Sequence, residues 1–294
     1  MKVLFCVLGF VLSAGVSPAI VAEGVVKTGV KHVHFGAKSA VLRLRSGAVL
    51  VLAQDSGMPL FAKNIDQVMP IASITKLMTA MVVLDSGLPL LETIDIDNSD
   101  VDRKKGSRSK LKVGTALMRA EMLKLALMAS ENRAAAALAR NFPGGTAAFV
   151  IAMNQKAAEL GMVNSHFEDP TGLTPDNVST AEDLAKMVAA AHTYPLIREY
   201  TTSDSFKIES EDRRRHRLLS YVNSNRLIKS RQWDIGLSKT GYISEAGRCL
   251  VMQAMIADKP VIIVLLDSWG KLSRIADANR IKRWIEADLL RVSG

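Results

Sequence analysis

The apolar and polar positions of the chain fall into a strand-like start, a helical middle and a strand-like end. Residues 40–45 (AVLRLR) alternate apolar and basic side chains, Ser46-Gly47 interrupts, and 48–53 (AVLVLA) is apolar again. Such runs on either side of a Ser-Gly pair predict a β-hairpin turning at 46–47. Residues 73–84 (SITKLMTAMVVL) are apolar at helical spacing and Gly87 follows. This predicts a largely buried helix whose first turn carries Ser73 and Lys76. Residues 95–112 are polar and charged and read as a surface excursion. Helices are predicted over 120–129 and 133–140, separated by Ser130-Glu131-Asn132, and over 145–160, closed by Gly161. A further helix over 180–192 has Thr180 as N-cap and Asp183 three residues on. The polar stretch 201–231 contains Arg213-Arg214-Arg215-His216-Arg217 and reads as a solvated loop. Strand character returns over 235–238, 249–256 and 261–266, and 273–290 closes the chain as an amphipathic helix. The pattern is α+β, with one sheet collecting strands from both chain ends beside a helix-rich lobe.

The first residues change the picture of where the protein works. Lys2 precedes an apolar run over 3–16 (VLFCVLGFVLSAGV), too short to span a bilayer comfortably, and small residues follow at Ser17-Pro18-Ala19 and Ile20-Val21-Ala22. A signal peptide over 1–22, cleaved after Ala22, is expected, and with it export to a bacterial periplasm. The alternative is a retained N-terminal anchor. Residues 23–37 read as an arm, in which His32 and His34 lack further metal ligands. Cleavage removes Cys6 and leaves Cys249, in an apolar run, as a buried structural thiol with no disulfide partner. The mature domain, 38–294, must then be stabilised by its core.

The chain has 294 residues, 48% of them hydrophobic and 23% charged, an ordinary globular composition. Its formal charge of +9 suits an anionic partner without choosing one. Aromatics make up only 5%, which argues against base-stacking platforms and nucleic acid. The basic run at 213–217 leaves loose contact with an anionic wall polymer or a membrane open.

Candidate chemistry centres on Ser73. A serine hydroxyl needs a neighbouring base to attack. Lys76 lies three residues on, on the same helical face. A lysine desolvated at a buried helix start can lose its proton and serve as that base. The same Ser-x-x-Lys spacing occurs at Ser107, Ser109 and Ser268, but only Ser73 opens a long apolar helix. Ser130-Glu131-Asn132, the one Ser-x-Asn in the chain, can project a hydroxyl and an amide from a helix junction, although a serine there can also simply cap the next helix. Lys239-Thr240-Gly241 follows the strand-like Ile235-Gly236-Leu237-Ser238, and Gly241 leaves room for a substrate backbone. A second Lys-Thr-Gly at 27–29 lies in the unpatterned arm.

The ordered set Ser-x-x-Lys, Ser-x-Asn, Lys-Thr-Gly resembles that of β-lactamases and penicillin-binding proteins. Within them the chain is similar to the low-molecular-mass penicillin-binding proteins that act as D-alanyl-D-alanine peptidases, and most of all to the periplasmic endopeptidases of the penicillin-binding protein 7 type. The similarity extends to Pro70-Ile71-Ala72-Ser73, to residues 127–135, to Asp169-Pro170-Thr171-Gly172-Leu173 and to Ala276-Asp277-Ala278. It implies a β-lactamase/transpeptidase-like fold and a penicillin-sensitive endopeptidase that hydrolyses D-alanyl cross-links in peptidoglycan. Ser73 would form the acyl-enzyme, Lys76 would take its proton, and Ser130 would relay a proton to the leaving amine. Asn132 would hold the substrate amide and Lys76. Lys239 would raise the local potential, and Thr240 would bind a carboxylate beside Gly241. Backbone N–H groups of Ser73 and Tyr242 would form the oxyanion hole. No metal or organic cofactor is implied, and β-lactams would be covalent inhibitors.

Three other readings share these motifs. A carboxypeptidase attacks the same carbonyl but releases free D-alanine. A class A β-lactamase needs a glutamate deacylation base, and the comparable stretch, Glu168 to Leu173, lacks the Glu-x-x-Leu-Asn pattern. A non-catalytic sensor would take penicillin on Ser73 without cutting peptides.

Overall fold

The computed structural model describes residues 42–212 and 215–292, without the side chains of 210–217 and 289–292. The expected leader, the arm with His32 and His34, the Lys-Thr-Gly at 27–29 and the side chains of the 213–217 run lie outside the described residues.

In chain order, β1 (Ser46–Ala53) and β2 (Pro59–Lys63) are followed by the short β3 (Met69–Pro70), a 3-10 turn (Ala72–Thr75) and α1 (Lys76–Asp85). Next come β4 (Thr93–Asp95), β5 (Ala116–Met118), α2 (Arg119–Lys124) with a π-helical turn (Leu125–Ala129), α3 (Asn132–Arg140) and α4 (Gly145–Glu159). Then follow β6 (Val178–Ser179), α5 (Ala181–His192), α6 (Pro195–Thr202), β7 (Ser205–Asp212) and β8 (Arg215–Val222). The chain ends with β9 (Asp234–Ile243), β10 (Gly247–Ile256), β11 (Lys259–Ser268) and α7 (Ser273–Val292).

The main sheet is antiparallel, in the order β2-β1-β11-β10-β9. Strands from both chain ends therefore meet, β1 pairing with β11 from Ser46↔Ser268 to Ala53↔Val261. Both faces are covered, which is why the central strands read as unbroken apolar runs. Ile262, Val264 and Leu266 of β11 join the core of the helical lobe, with Leu77, Met81 and Leu184. Val261, Ile263 and Leu265 face the other way and pack with Ala278, Ile281 and Ile285 of α7. Each fully buried aliphatic side chain contributes about 1.5–3 kcal/mol.

Two expectations are corrected. The first hairpin does not turn at Ser46-Gly47: both residues belong to β1, and the turn lies at 54–58, where Gly57 N–H reaches the Ala53 carbonyl and Ala53 N–H the Met58 carbonyl. Of the alternating segment before it, the described residues 42–45 are not a paired strand, and α7 takes the Arg45 donor. Asp277, fully buried, accepts from the backbone N–H of Arg45 (2.9 Å) and Ser46 (2.8 Å) and from the Ser46 hydroxyl (2.8 Å). Leu42 and Leu44 still pack against the α7 side of the sheet.

The polar stretch 201–231 is likewise not a loop. It holds the end of α6 and the β7–β8 hairpin, paired from Ser205↔Val222 to Asp212↔Arg215. Its apolar positions are few but sit on one face: Ile208, Leu219 and Tyr221 are buried against the helical lobe while Leu218 and Val222 are exposed. The helix expected over 120–129 changes to π geometry over its last turn, and this change positions the site.

Candidate active site

Ser73 sits on the 3-10 turn ahead of α1. Ala72 adopts φ +49°, a left-handed conformation costly for a residue with a side chain, so the turn must be held from outside. Thr75 donates its hydroxyl to the Ala72 carbonyl at 2.8 Å, Asn177 donates its amide to Thr75 Oγ1 at 3.0 Å, and Ile71 N–H reaches the Asn177 carbonyl at 3.1 Å. The Ser73 turn is thus clamped by a residue about 100 positions away in sequence.

Lys76 is the first residue of α1 and is fully buried. Its Nζ contacts Ser73 Oγ at 2.9 Å, Asn132 Oδ1 at 2.7 Å and the Thr171 carbonyl at 2.6 Å. Burial pulls its pKa down from the ordinary lysine value to about 7, and the carboxylates of Asp169 and Glu131 act in the opposite direction. A neutral amine keeps two N–H donors and gains a lone pair. With the two donors on Asn132 and Thr171, that lone pair faces the Ser73 hydroxyl.

Ser130 is placed by the π-turn. The widened helix ends with Ser130 at φ +61°, and Glu131 N–H returns to the Leu125 carbonyl at 3.1 Å. Such π-turns are frequent at functional sites. Glu131, not Ser130, caps α3, its carboxylate accepting from Arg133 N–H. This frees the Ser130 hydroxyl to accept from Lys239 Nζ at 2.8 Å and sets Asn132 at the start of α3. Burial raises the pKa of Glu131 above the usual carboxylate range.

Lys239, Thr240 and Gly241 lie on β9, the edge strand. Lys239 is buried, and its pKa is held well below the ordinary lysine value by burial, then by the charges of Lys76 and Arg274. It also reaches the Thr240 carbonyl at 2.9 Å. A Cβ on Gly241 would lie 2.9 Å from the Ile71 carbonyl and 3.2 Å from Ser73 N, so a glycine lets β9 approach the Ser73 turn. Tyr242 follows, its ring exposed beneath the Arg248 guanidinium at 4.3 Å. All the residues expected in the site, Ser73, Lys76, Ser130, Asn132, Lys239, Thr240, Gly241 and Tyr242, therefore converge on two walls: β9 on one side, the α1 turn and the π-turn on the other.

Several groups escaped sequence reasoning. Thr171 contributes only a carbonyl, a group every residue has, so no residue pattern reveals it. Asp169 presents it by accepting from the N–H groups of Thr171, Gly172 and Thr174. A Cβ on Gly172, at φ +76°, would lie 1.9 Å from the Ala72 carbonyl, so this loop packs directly on the Ser73 turn. Ser224, from the stretch expected to be a loop, accepts the Thr240 hydroxyl at 2.8 Å, and its N–H reaches the Met128 carbonyl of the π-turn at 2.9 Å. Arg274, at the start of α7, donates to the carbonyls of Gly241 (2.7 Å) and Cys249 (3.1 Å). Its Nε is buried without a partner. Burial raises the Cys249 pKa to about 11, which fits the structural thiol expected there. Ser268 is buried against Ser46, away from this chemistry. Ser107 is not remote: Asn132 Nδ2 donates to its hydroxyl at 3.0 Å. Beside Asn132 and Thr171 opens a cleft of about 750 Å³ walled by Asp102, Arg140, Asp169 and Leu173.

Comparison with known proteins places this geometry. A family model described as D-alanyl-D-alanine carboxypeptidase, peptidase S11, matches residues 35–270. The chain is 49% identical to a D-alanyl-D-alanine endopeptidase of Pseudomonas aeruginosa over 243 residues, covering 83% of this chain and 78% of the relative. It is 45% identical to a D-alanyl-D-alanine endopeptidase of Escherichia coli over 244 residues, with the same coverage of each chain. The crystal structure of the Streptomyces K15 DD-transpeptidase superposes with a TM-score of 0.78 at 28% identity, over 83% of this chain and 98% of that one. Fold, motif order and relatives agree: the chain belongs to the D-alanyl-D-alanine carboxypeptidase family of serine peptidases, peptidase S11.

Proposed function

We propose that this protein is a periplasmic D,D-endopeptidase that hydrolyses D-alanyl cross-links of peptidoglycan through an ester on Ser73. The observation that carries the reading is the Lys76 amine site, where Ser73 Oγ, Asn132 Oδ1 and the Thr171 carbonyl meet on one buried nitrogen. In the acylation step neutral Lys76 takes the Ser73 proton as Oγ bonds to the D-alanyl carbonyl carbon. The oxyanion is received by the backbone N–H groups of Ser73 and Tyr242. Ser130 passes a proton to the departing amine and is resupplied through its Lys239 hydrogen bond. Asn132 holds the substrate amide carbonyl, and Thr240, with Lys239 and Arg274 behind it, attracts the carboxylate. Water then hydrolyses the ester, releasing the acid and free Ser73.

A β-lactam acylates the same hydroxyl and stays. Two nearby carboxylates that could activate a deacylating water are otherwise engaged: Asp169 holds three backbone N–H groups and Glu131 caps α3. This favours a penicillin-sensitive peptidase over a β-lactamase, and rapid repeated turnover of nitrocefin by purified protein would reverse that choice.

The periplasmic assignment rests on the leader-like 1–22. Among the described residues no helix is long and apolar enough to cross a membrane. Carboxypeptidase action on pentapeptides is the second reading, since the attacked carbonyl is the same. Purified protein incubated with cross-linked muropeptide dimers and with pentapeptide monomers separates the two. Dimer cleavage is expected; release of D-alanine from monomers with dimers intact would refute the endopeptidase.

A further inference from the structure

The charged excursion before the Ser-x-Asn motif folds into the site. Its tip is built on Asp102, whose carboxylate accepts from the N–H groups of Lys104 (2.8 Å), Lys105 (2.9 Å) and Ser107 (2.8 Å). Its base is anchored: Leu111 is fully buried, Arg133 donates to the Leu111 carbonyl at 2.6 Å, and Lys110 donates to the Ser220 carbonyl at 2.6 Å. The tip is therefore a preformed unit on a fixed base.

Two side-chain ties hold the tip over the catalytic groups. Ser107 Oγ accepts from Asn132 Nδ2 at 3.0 Å. Lys105 forms an ion pair with Glu245, in the turn between β9 and β10. The ties lead to opposite walls, one to the Ser-x-Asn junction and one to the end of the strand that carries Lys239. The inner tie engages a group that substrate would also use. Asn132 Oδ1 is committed to Lys76, so the two Nδ2 hydrogens are the donors left for a substrate carbonyl, and Ser107 takes one of them. The Lys105–Glu245 pair is partly exposed, and ion pairs of that kind are weak and screened by salt.

We propose that the 102–107 tip is a substrate-displaced strap, in which Ser107 takes an Asn132 N–H that a substrate carbonyl would use and Lys105–Glu245 restricts entry of bulky cross-linked peptides. The strap rests on the D,D-peptidase reading above and adds to it the residues that set selectivity by substrate size. A small β-lactam has to displace only the Ser107 tie, whereas a cross-linked dimer has to part both.

Lys105→Gln and Glu245→Gln are the variants to test. Each is expected to raise kcat/KM on cross-linked dimers about fivefold while changing benzylpenicillin acylation less than about twofold, the asymmetry expected when a barrier specific to one substrate is removed. Exchanging the charges, Lys105→Glu with Glu245→Lys, should restore the wild-type ratio. Unchanged or slower dimer cleavage, or equal acceleration of both reactions, would overturn the outer tie. Ser107→Ala is expected to speed benzylpenicillin acylation, because Asn132 then surrenders no partner; unchanged or slower acylation would overturn the inner tie. If the wild-type enzyme leaves dimers intact, the endopeptidase reading fails by itself. The outer tie is then judged on pentapeptide monomers against benzylpenicillin, with the same expected asymmetry and the same refuting results.

Discussion

Lys76 donates to the backbone carbonyl of Thr171, 95 positions away in sequence, at 2.6 Å. That contact gives the amine a defined direction, as the proposed base requires. Two fixed acceptors, Thr171 and Asn132, take two hydrogens and leave the third position of the amine for Ser73.

Acylation by a β-lactam should therefore rise as pH increases through about 7, where Lys76 loses its proton. Lys239 is itself held below the ordinary lysine value, and loss of its charge as pH rises should weaken carboxylate attraction and oppose this gain. Lys76→Ala should lower the acylation rate by about 10²–10⁴-fold, and Lys76→Arg should not restore it, because a guanidinium stays protonated. Stopped-flow acylation across pH measures both. Full labelling of either variant would remove Lys76 from the role of base.

The same depressed pKa has a consequence for stability. Between about 7 and 10.5 the unfolded chain binds more protons at this lysine than the folded one. Stability from this group thus increases as pH rises through that window, and below it the buried ammonium costs its full penalty. In the Lys76→Met variant the pH dependence of denaturant unfolding should flatten over the same range.

Asp169 opposes the burial effect by its charge. Asp169→Asn should move the acid limb of the acylation profile to lower pH, since removing a nearby anion makes the ammonium easier to deprotonate. A shift to higher pH would show that the loop had moved and that its geometry outweighs its charge.

Gly172 is the tightest approach in the site. A methyl group there meets the Ala72 carbonyl at 1.9 Å on a backbone with φ +76°. Gly172→Ala should cost at least about 2 kcal/mol from overpacking and left-handed strain together, read as a lowered thermal midpoint with loss of penicillin labelling. A variant of wild-type stability and labelling would disprove the packing described.

Asp277 separates fold from chemistry. It serves the part-buried N–H of Arg45 and the buried N–H and hydroxyl of Ser46, and lies outside the proposed catalytic contacts. Asp277→Ala should destabilise the protein by about 2–4 kcal/mol while leaving penicillin acylation intact at low temperature. Chemical denaturation and labelling, measured side by side, test the two halves.

The chain on its own determined the elements whose side chains repeat with a period. The buried helix behind Ser73, the sheet strands at both chain ends and the closing helix are each marked by apolar spacing, and their order implied the α+β arrangement that the β1–β11 pairing realises. It also marked Ser73, Lys76, Ser130, Asn132 and Lys239-Thr240-Gly241, because side-chain chemistry at fixed spacing is visible in residue names. The residues decided by tertiary structure act through groups that names conceal. Thr171 acts through a carbonyl, Gly172 through the absence of a side chain, and Arg45 through an N–H that Asp277 takes from the expected hairpin. The β7–β8 hairpin escaped because its few buried apolar positions are diluted by charge, and Ser107 because a polar excursion gives no sign of where it folds back. Periodicity reports which face of an element is buried, while only the packed chain shows which distant backbone atom that face meets.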